Sequence, residues 1–242
     1  MRHARPRSTA RHHRRRAVAA LLATALGGLT GCASIGDAQQ VIDRAHLVNE
    51  LASRLDHASE LSYTADYQLP GGGQATIVQA QSPMRTAYIY PAGKYATTRE
   101  ATMDCQTAGG TTTCTLTAPP PGGSDATTTL VNVLRNRGMV PPTLVVNLLT
   151  AASLSSNTVI KQHDTTLAGE HATCVEVSGV ENAPASAFDA CITSDGVLGS
   201  FNGVVDGASV DISLTRYATT IADDAFTPPA GAQIVDQRTK RS

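Results

Sequence analysis

Two Asp-Gly dipeptides in the last third of the chain, Asp195-Gly196 and Asp206-Gly207, constrain the fold more than any other feature. Asp-Gly between β-rich segments signals a two-residue hairpin, because its turn needs positive φ at both central positions. Each turn fixes a register. The first sets Cys191 opposite Ser200, and the second sets Phe201 opposite Ile212. If Cys174 also pairs with Cys191, three registers run in series. One face then collects Val175, Val177, Phe188, Ala190, Ile192, Gly199, Phe201, Gly203, Val210, Ile212 and Leu214. The other collects Cys174, Glu176, Asp189, Cys191, Thr193, Ser200, Asn202, Asp211, Ser213 and Thr215. A one-residue slip would scramble both faces. The chain therefore carries a one-sided antiparallel sheet, and its apolar face needs a cover.

Cover is available upstream. The spacing predicts an amphipathic helix over 39–57, with Val41, Ala45, Val48, Leu51 and Leu55 on one side. A helix is expected from about Thr127 to Arg137, capped by Ser124 or Asp125 and stopped by Gly138. Another opens at Pro141-Pro142 and runs to Leu154. Its Leu144, Val145, Val146, Leu148, Leu149, Ala151, Ala152 and Leu154 leave almost no polar side, so it is expected inside the domain.

The first half of the mature chain also reads as strands. Leu61, Tyr63, Ala65, Tyr67 and Leu69 alternate with polar residues, and Gly71-Gly72-Gly73 makes a turn. Strands are expected near 75–80, 86–90 and 95–99. Gly109-Gly110 fits a type I′ turn that sets Cys105 opposite Cys114 and Met103 opposite Leu116. Counting from the turn, 105/114 is a non-hydrogen-bonded pair with Cα atoms about 4.5 Å apart, within reach of a disulfide. The segment 118–125 is a loop, and Ile234-Val235 a last short strand.

The opening of the chain is of another kind. Seven arginines and no acid fill residues 1–16, and residues 17–29 are almost all Ala, Leu, Val and Gly. That is the form of a secretory leader, too short to span a bilayer. Leu29-Thr30-Gly31-Cys32 then resembles the bacterial lipoprotein signal, in which the chain is cut before Cys32 and that cysteine is acylated. Arg14-Arg15-Arg16 leaves both general and twin-arginine export open. The expected organisation is a signal peptide over 1–31, a tether over 32–38, one domain over 39–236 and a frayed tail over 237–242. The protein would sit on the extracytoplasmic face of the cell membrane, held by its lipid anchor. With Cys32 assigned to lipid, Cys105, Cys114, Cys174 and Cys191 remain, an even number that suits two disulfides in an exported chain. Without a CxxC spacing, zinc and other metal sites are not expected, and no cofactor is implied. Removing the leader leaves 12 basic residues against 20 acids, which excludes a basic nucleic-acid footprint.

The element order of helix, antiparallel strands, apolar helices and antiparallel strands carries a resemblance. So do the Gly-containing strand 197–205, the alternation over Val210–Leu214 and the closing Phe226-x-Pro-Pro-x-Gly-Ala. Over roughly residues 40–236 the chain resembles the LolA-like lipoprotein-carrier superfamily, including the mycobacterial LppX/LprG lipoproteins, an actinobacterial relation. The resemblance implies an α+β fold, a curved antiparallel β-sheet or half-barrel covering apolar helices. It also implies a lipid or acylated ligand held between them. The expected cavity residues are Leu144, Val145, Leu148, Leu149, Phe188, Phe201, Ile212 and Leu214.

No catalytic set appears, and an enzyme is not expected. Gly199-Ser200-Phe201-Asn202-Gly203 is out of step with G-x-S-x-G, and its Ser lies mid-strand. His46 and His57 fall on the polar side of the first helix. His163-Asp164 and Glu170 form no triad by spacing, and Asp223-Asp224 has too few oxygen ligands for a calcium loop. Two functions fit: a membrane-anchored lipid-binding module, and a non-catalytic structural or protein-interaction lipoprotein of the same fold with a filled core.

Overall fold

The computed structural model describes residues 32–120 and 124–238. The expected leader and the end of the tail, 239–242, lie outside the described residues. Met1–Gln40 form one unit, whose described residues, 32–40, are helical; Val41–Ser242 form the other.

The first helix, α1, spans Cys32–His57. It starts ahead of the expected Gln39 and takes in 32–38. The one weak helix former there, Gly36, costs about 1 kcal/mol and does not stop a helix. Val48, Leu51, Ala52 and Leu55 are buried at three- and four-residue steps. Glu50 and Arg54 pair on the outer side at 2.6 Å.

Six strands follow: β1 Tyr63–Gln68, β2 Gln74–Gln81, β3 Met84–Tyr90, β4 Gly93–Thr97, β5 Thr102–Ala108 and β6 Thr111–Thr117. Two helices, α2 Ser124–Arg135 and α3 Pro142–Leu154, separate them from β7 Val159–Leu167, β8 Glu170–Ser178, β9 Ala187–Thr193, β10 Leu198–Val205 and β11 Ala208–Ala218. A 3-10 turn over Asp223–Phe226 leads to β12 Gln233–Asp236.

All twelve strands form one open sheet, in the order β12-β6-β5-β4-β3-β2-β1-β11-β10-β9-β8-β7. The pairings are antiparallel except β12 on β6, which is parallel. The α2–α3 connection thus carries the chain from one end of the antiparallel run to the opposite edge. Cα atoms of β7 and β11 come within 8 Å of each other although three strands lie between them. In a flat sheet they would be about 19 Å apart at about 4.8 Å per strand, so this half of the sheet curls strongly.

The hairpin registers match the expectation: Cys105↔Cys114, Cys174↔Cys191, Phe201↔Ala190 and Phe201↔Ile212. Both disulfides are present. One detail differs. A bulge between Leu198 and Ser200 puts Leu198, not Gly199, opposite Ile192. A Cβ on Gly199 would meet Leu167 Cδ1 at 2.9 Å and Cys191 O at 3.2 Å. The extra residue thus keeps Leu198 in the core and brings a bare backbone under Leu167, which is a common use of a bulge.

Strand β7 is the element that the sequence pattern does not announce. Its burial is almost entirely exposed or partial, with only Ile160 buried, so it carries no alternation. The helix α3 also departs from the expectation of full burial. Leu144, Val145, Leu148, Leu149 and Ala152 are buried, but Thr143, Asn147, Thr150 and Leu154 are exposed. These four fall at steps of four, three and four, which is one stripe of a helix. Leu154 therefore sits on the wet side.

Two clusters make up most of the core. The larger joins α1, α2 and α3 residues (Leu51, Leu134, Leu148) with one face of both sheet halves, including Tyr63, Tyr88, Phe201 and Ile212. The smaller lies on the opposite face of the first half, where Val78, Ala80, Ala87, Ala96, Met103 and the Cys105–Cys114 bridge pack with Ala225 and Phe226. The chain after β11 is therefore a strap across that face. Lys94 Nζ donates to the carbonyls of Asp224 at 2.9 Å and Thr227 at 3.1 Å. Arg85 pairs with Asp223 at 3.0 Å and lies 4.3 Å from the Phe226 ring centroid.

Candidate functional site: an apolar cleft on the tyrosine face

The alternation of β1–β4 places five of the six tyrosines on the face that meets the helices. Registers then order that face into rows. Tyr63, Gln79, Thr86, Thr97 and Thr102 lie opposite one another in sequence across β1–β5. The next row is Ala65, Ile77, Tyr88, Tyr95 and Asp104. One row is mostly amide and hydroxyl, and its neighbour is mostly apolar and aromatic.

A cleft of about 290 Å³ opens over these rows. Its floor is Tyr63, Gln79, Thr86, Tyr88, Tyr95 and Thr97. Leu55, Asp56, Ala58 and Ser59 wall it at the end of α1, and Leu130, Pro142, Thr143 and Val146 wall it from α2 and α3. Met84, 62% exposed, stands at the rim on the β2–β3 turn. Ligand pockets generally run from about 300 to 1,000 Å³, so this one suits a short chain segment rather than a whole lipid.

The rim is held by two glutamines. Gln79 Nε2 donates to the carbonyls of Ala58 at 2.7 Å and Leu61 at 2.9 Å. Gln81 Nε2 donates to the carbonyls of Ser59 and Leu61, and its backbone N–H to Ser62 Oγ at 3.1 Å. The short connector between α1 and β1 is thereby tied to β2. The floor is dry. Burial, reinforced by a neighbouring tyrosine in each case, raises the phenols of Tyr63 and Tyr88 far above their ordinary range. Burial raises Tyr95 as well. All three stay neutral at any physiological pH. No histidine is among the described residues that line the cleft.

At the edge of this face Tyr90 packs beside Arg137, whose guanidinium carbon is 5.3 Å from the ring centroid. Burial and then the nearby Asp104 charge push the Tyr90 phenol up to about 12, with Arg137 acting in the opposite sense.

The expected cavity residues lie elsewhere. Leu144, Val145, Leu148, Leu149, Phe188, Phe201, Ile212 and Leu214 all belong to the larger core cluster, none more than 5% exposed. The Phe188 and Phe201 rings stack with centroids 5.8 Å apart. None of the eight lines the cleft. Registers are clearest in the second half of the sheet, whereas the cleft lies over the first half. Its signal in the sequence is the run of tyrosines on alternating strand positions, Tyr63 and Tyr67 in β1 and Tyr88 and Tyr90 in β3, with Tyr95 in β4. Cys32 opens α1. No described helix is long and apolar enough to cross a membrane.

No protein-family model matches the chain, and no curated protein matches it. Among solved structures, an uncharacterized conserved protein from Thermus thermophilus is similar with a TM-score of 0.45 at 10% identity, over 78% of this chain and 98% of that one. MucB is similar with a TM-score of 0.44 at 15% identity, over 77% of this chain and 64% of MucB. A DUF1329 family protein from Desulfovibrio piger gives a TM-score of 0.32 at 10% identity, over 75% of this chain and 96% of that one. Similarity at this level carries no argument about function.

Proposed function

We propose that the chain is an exported, lipid-anchored binding module of LolA-like architecture, whose cleft takes an apolar chain from a lipid or acylated molecule. In this reading the curved sheet wraps the helices, and the acyl group on Cys32 holds the domain at the extracytoplasmic face of the membrane. The observation that carries it is the cleft: apolar side chains from three strands and three helices, a dry aromatic floor, and a row of amide and hydroxyl groups beside it. A methylene buried there contributes about 0.8 kcal/mol, so a segment of several carbons supplies useful affinity without a charged partner. Tethering at the bilayer raises the local concentration of such chains. The protein binds rather than turns over its ligand.

The second reading, a structural or protein-interaction lipoprotein, is favoured by the solid packing around Leu148, Phe188 and Phe201. One experiment separates them. The soluble 33–242 form is purified from a bacterial host, examined by native mass spectrometry and extracted for lipid, and then titrated with a fluorescent fatty-acyl probe. Co-purifying lipid or saturable probe binding supports the carrier. Neither signal would leave the structural reading.

A further inference from the structure

The second disulfide lies in a row of side chains that its fold alone does not require. Strands β7, β8 and β9 pair in register so that His163 lies opposite Cys174, and Cys174 opposite Cys191. A ring nitrogen of His163 and the two sulfurs lie within 4.8 Å of one another. Asp189, two residues from Cys191 and on the same side of β9, adds a carboxylate. Its Oδ1 is 3.8 Å from Cys191 Sγ, and its Oδ2 is 4.0 Å from His163 Nε2. Two sulfurs, an imidazole and a carboxylate thus converge from three adjacent strands. The other disulfide, Cys105–Cys114, sits among Val78, Ala87, Ala96 and Met103.

We propose that His163, Cys174, Cys191 and Asp189 form a latent site for a thiophilic divalent cation, with zinc as its natural size and hardness, which the disulfide keeps closed. A dithiol reductant opens it. The Cys174–Cys191 S–S bond breaks, the reductant's two sulfurs join in its place, and each cysteine sulfur takes one proton. Zinc then displaces those two protons, and the neutral His163 ring supplies a nitrogen lone pair. The ligand set is S₂N with one carboxylate oxygen, and zinc accepts all of these types in tetrahedral geometry. Calcium and magnesium, which require oxygen ligands, are excluded. Bonds of about 2.0–2.3 Å from a common centre need ligand atoms closer together than about 4 Å, so small side-chain rotations suffice.

The surroundings allow it. Cys174 and Cys191 are buried, while His163 is half exposed. The pairing of β8 between β7 and β9 holds Cys174 and Cys191 in place when the S–S bond is open. Leu167, partly buried against Ala172, Cys174 and Cys191, covers the site from the side.

The test uses the purified protein in oxidised form and after reduction with a phosphine that is then removed under nitrogen. Each form is titrated with zinc against a chromophoric chelator, and with cobalt(II), whose thiolate charge-transfer and tetrahedral bands report sulfur ligation. The expected result is one zinc per reduced chain, none per oxidised chain, and cobalt bands of a two-thiolate site. His163→Ala leaves both disulfides and removes an exposed side chain. It should weaken zinc binding by the reduced form more than about tenfold, the least that even an outer-sphere change costs many metal sites. Cys105→Ser with Cys114→Ser should leave zinc binding intact, and Cys174→Ser should abolish it. Circular dichroism of each reduced form keeps loss of binding separate from loss of fold. Folded, reduced protein that takes up no zinc would overturn the proposal. So would His163→Ala that binds as tightly as the parent, or binding that follows the Cys105–Cys114 pair.

Discussion

Tyrosine is the residue that this chain uses most pointedly. It has six tyrosines, three phenylalanines and no tryptophan. Tyr63, Tyr67, Tyr88, Tyr90 and Tyr95 are each no more than 5% exposed. Tyr67 donates to the Leu198 carbonyl at 2.7 Å and so ties β1 to the start of β10. Burial raises all five phenols. A group whose folded pKa is raised stabilises the fold fully below its unfolded pKa, near 10, and loses that contribution as pH rises through the folded value. Above about pH 10 the unfolded chain sheds phenolic protons that the folded chain keeps, so stability must fall with pH. Each such group adds to the fall. Lys94, whose ammonium is lowered by burial, acts oppositely below its unfolded pKa but is one group against five. Absorbance near 295 nm should therefore show Tyr217, the partly buried one, ionising before the rest, and five tyrosines ionising together with loss of far-ultraviolet dichroism. Gradual, independent ionisation of all six would contradict the dry floor.

Helix α3 shows how one element serves both core and cleft. Its Leu148 and Leu149 are fully buried, while Val146, partly buried, faces the cleft. Leu148→Ala should cost about 2–5 kcal/mol as a cavity in packed core, read as a shift in denaturant midpoint. Val146→Trp should instead fill the cleft, lower acyl-probe affinity more than about tenfold (about 1.4 kcal/mol) and shift the midpoint far less. Equal probe affinity in Val146→Trp and parent would remove the cleft as the binding place. The helix itself could be read from its Pro-Pro start and apolar run, and the hairpins from Asp-Gly, Gly-Gly and the cysteines. What could not be read was position in space. A run such as Leu144–Leu149 states that burial is wanted, not whether the partner is a side chain or a ligand. Strand β7 escaped because exposure on both sides erases period two, and the bulge at Gly199 because a bulge depends on what lies across the sheet. The His163–Cys174–Cys191 row needed β7, so it was invisible as well.

Within the unit Val41–Ser242, the two halves of the sheet meet at β1 and β11, the first and eleventh strands in the chain. Every element between them is enclosed by that one pairing, which makes the closing contact long-range. It is also bulged between Asp66 and Tyr67, where Arg216 Nε donates to Asp66 Oδ2 at 2.6 Å. The strap after β11 then crosses one face of the first half, where Ala225 and Phe226 pack, while the tyrosine face shares a core cluster with residues of α1, α2 and α3. Its terminal β12 is exposed throughout, including Ile234 and Val235, and reaches the sheet only through the β6 edge. Burial of Phe226 contributes about 1.5–3 kcal/mol, and the strap also accepts the Lys94 hydrogen bonds at the Asp224 and Thr227 carbonyls. Phe226→Ala should then lower stability by about 3–5 kcal/mol if the strap is packed as tightly as core. Val235→Ser, on the exposed strand, should stay within about 0.5 kcal/mol. Chemical denaturation of the two variants beside the parent measures both, and amide hydrogen exchange locates the loss. Exchange should rise first along the strap and in β3 and β4, with β8 and β9 still protected. If the Phe226→Ala change instead loosens β8 and β9 equally, the two halves unfold as one cooperative body and the strap is part of a single core rather than a cover for the first half.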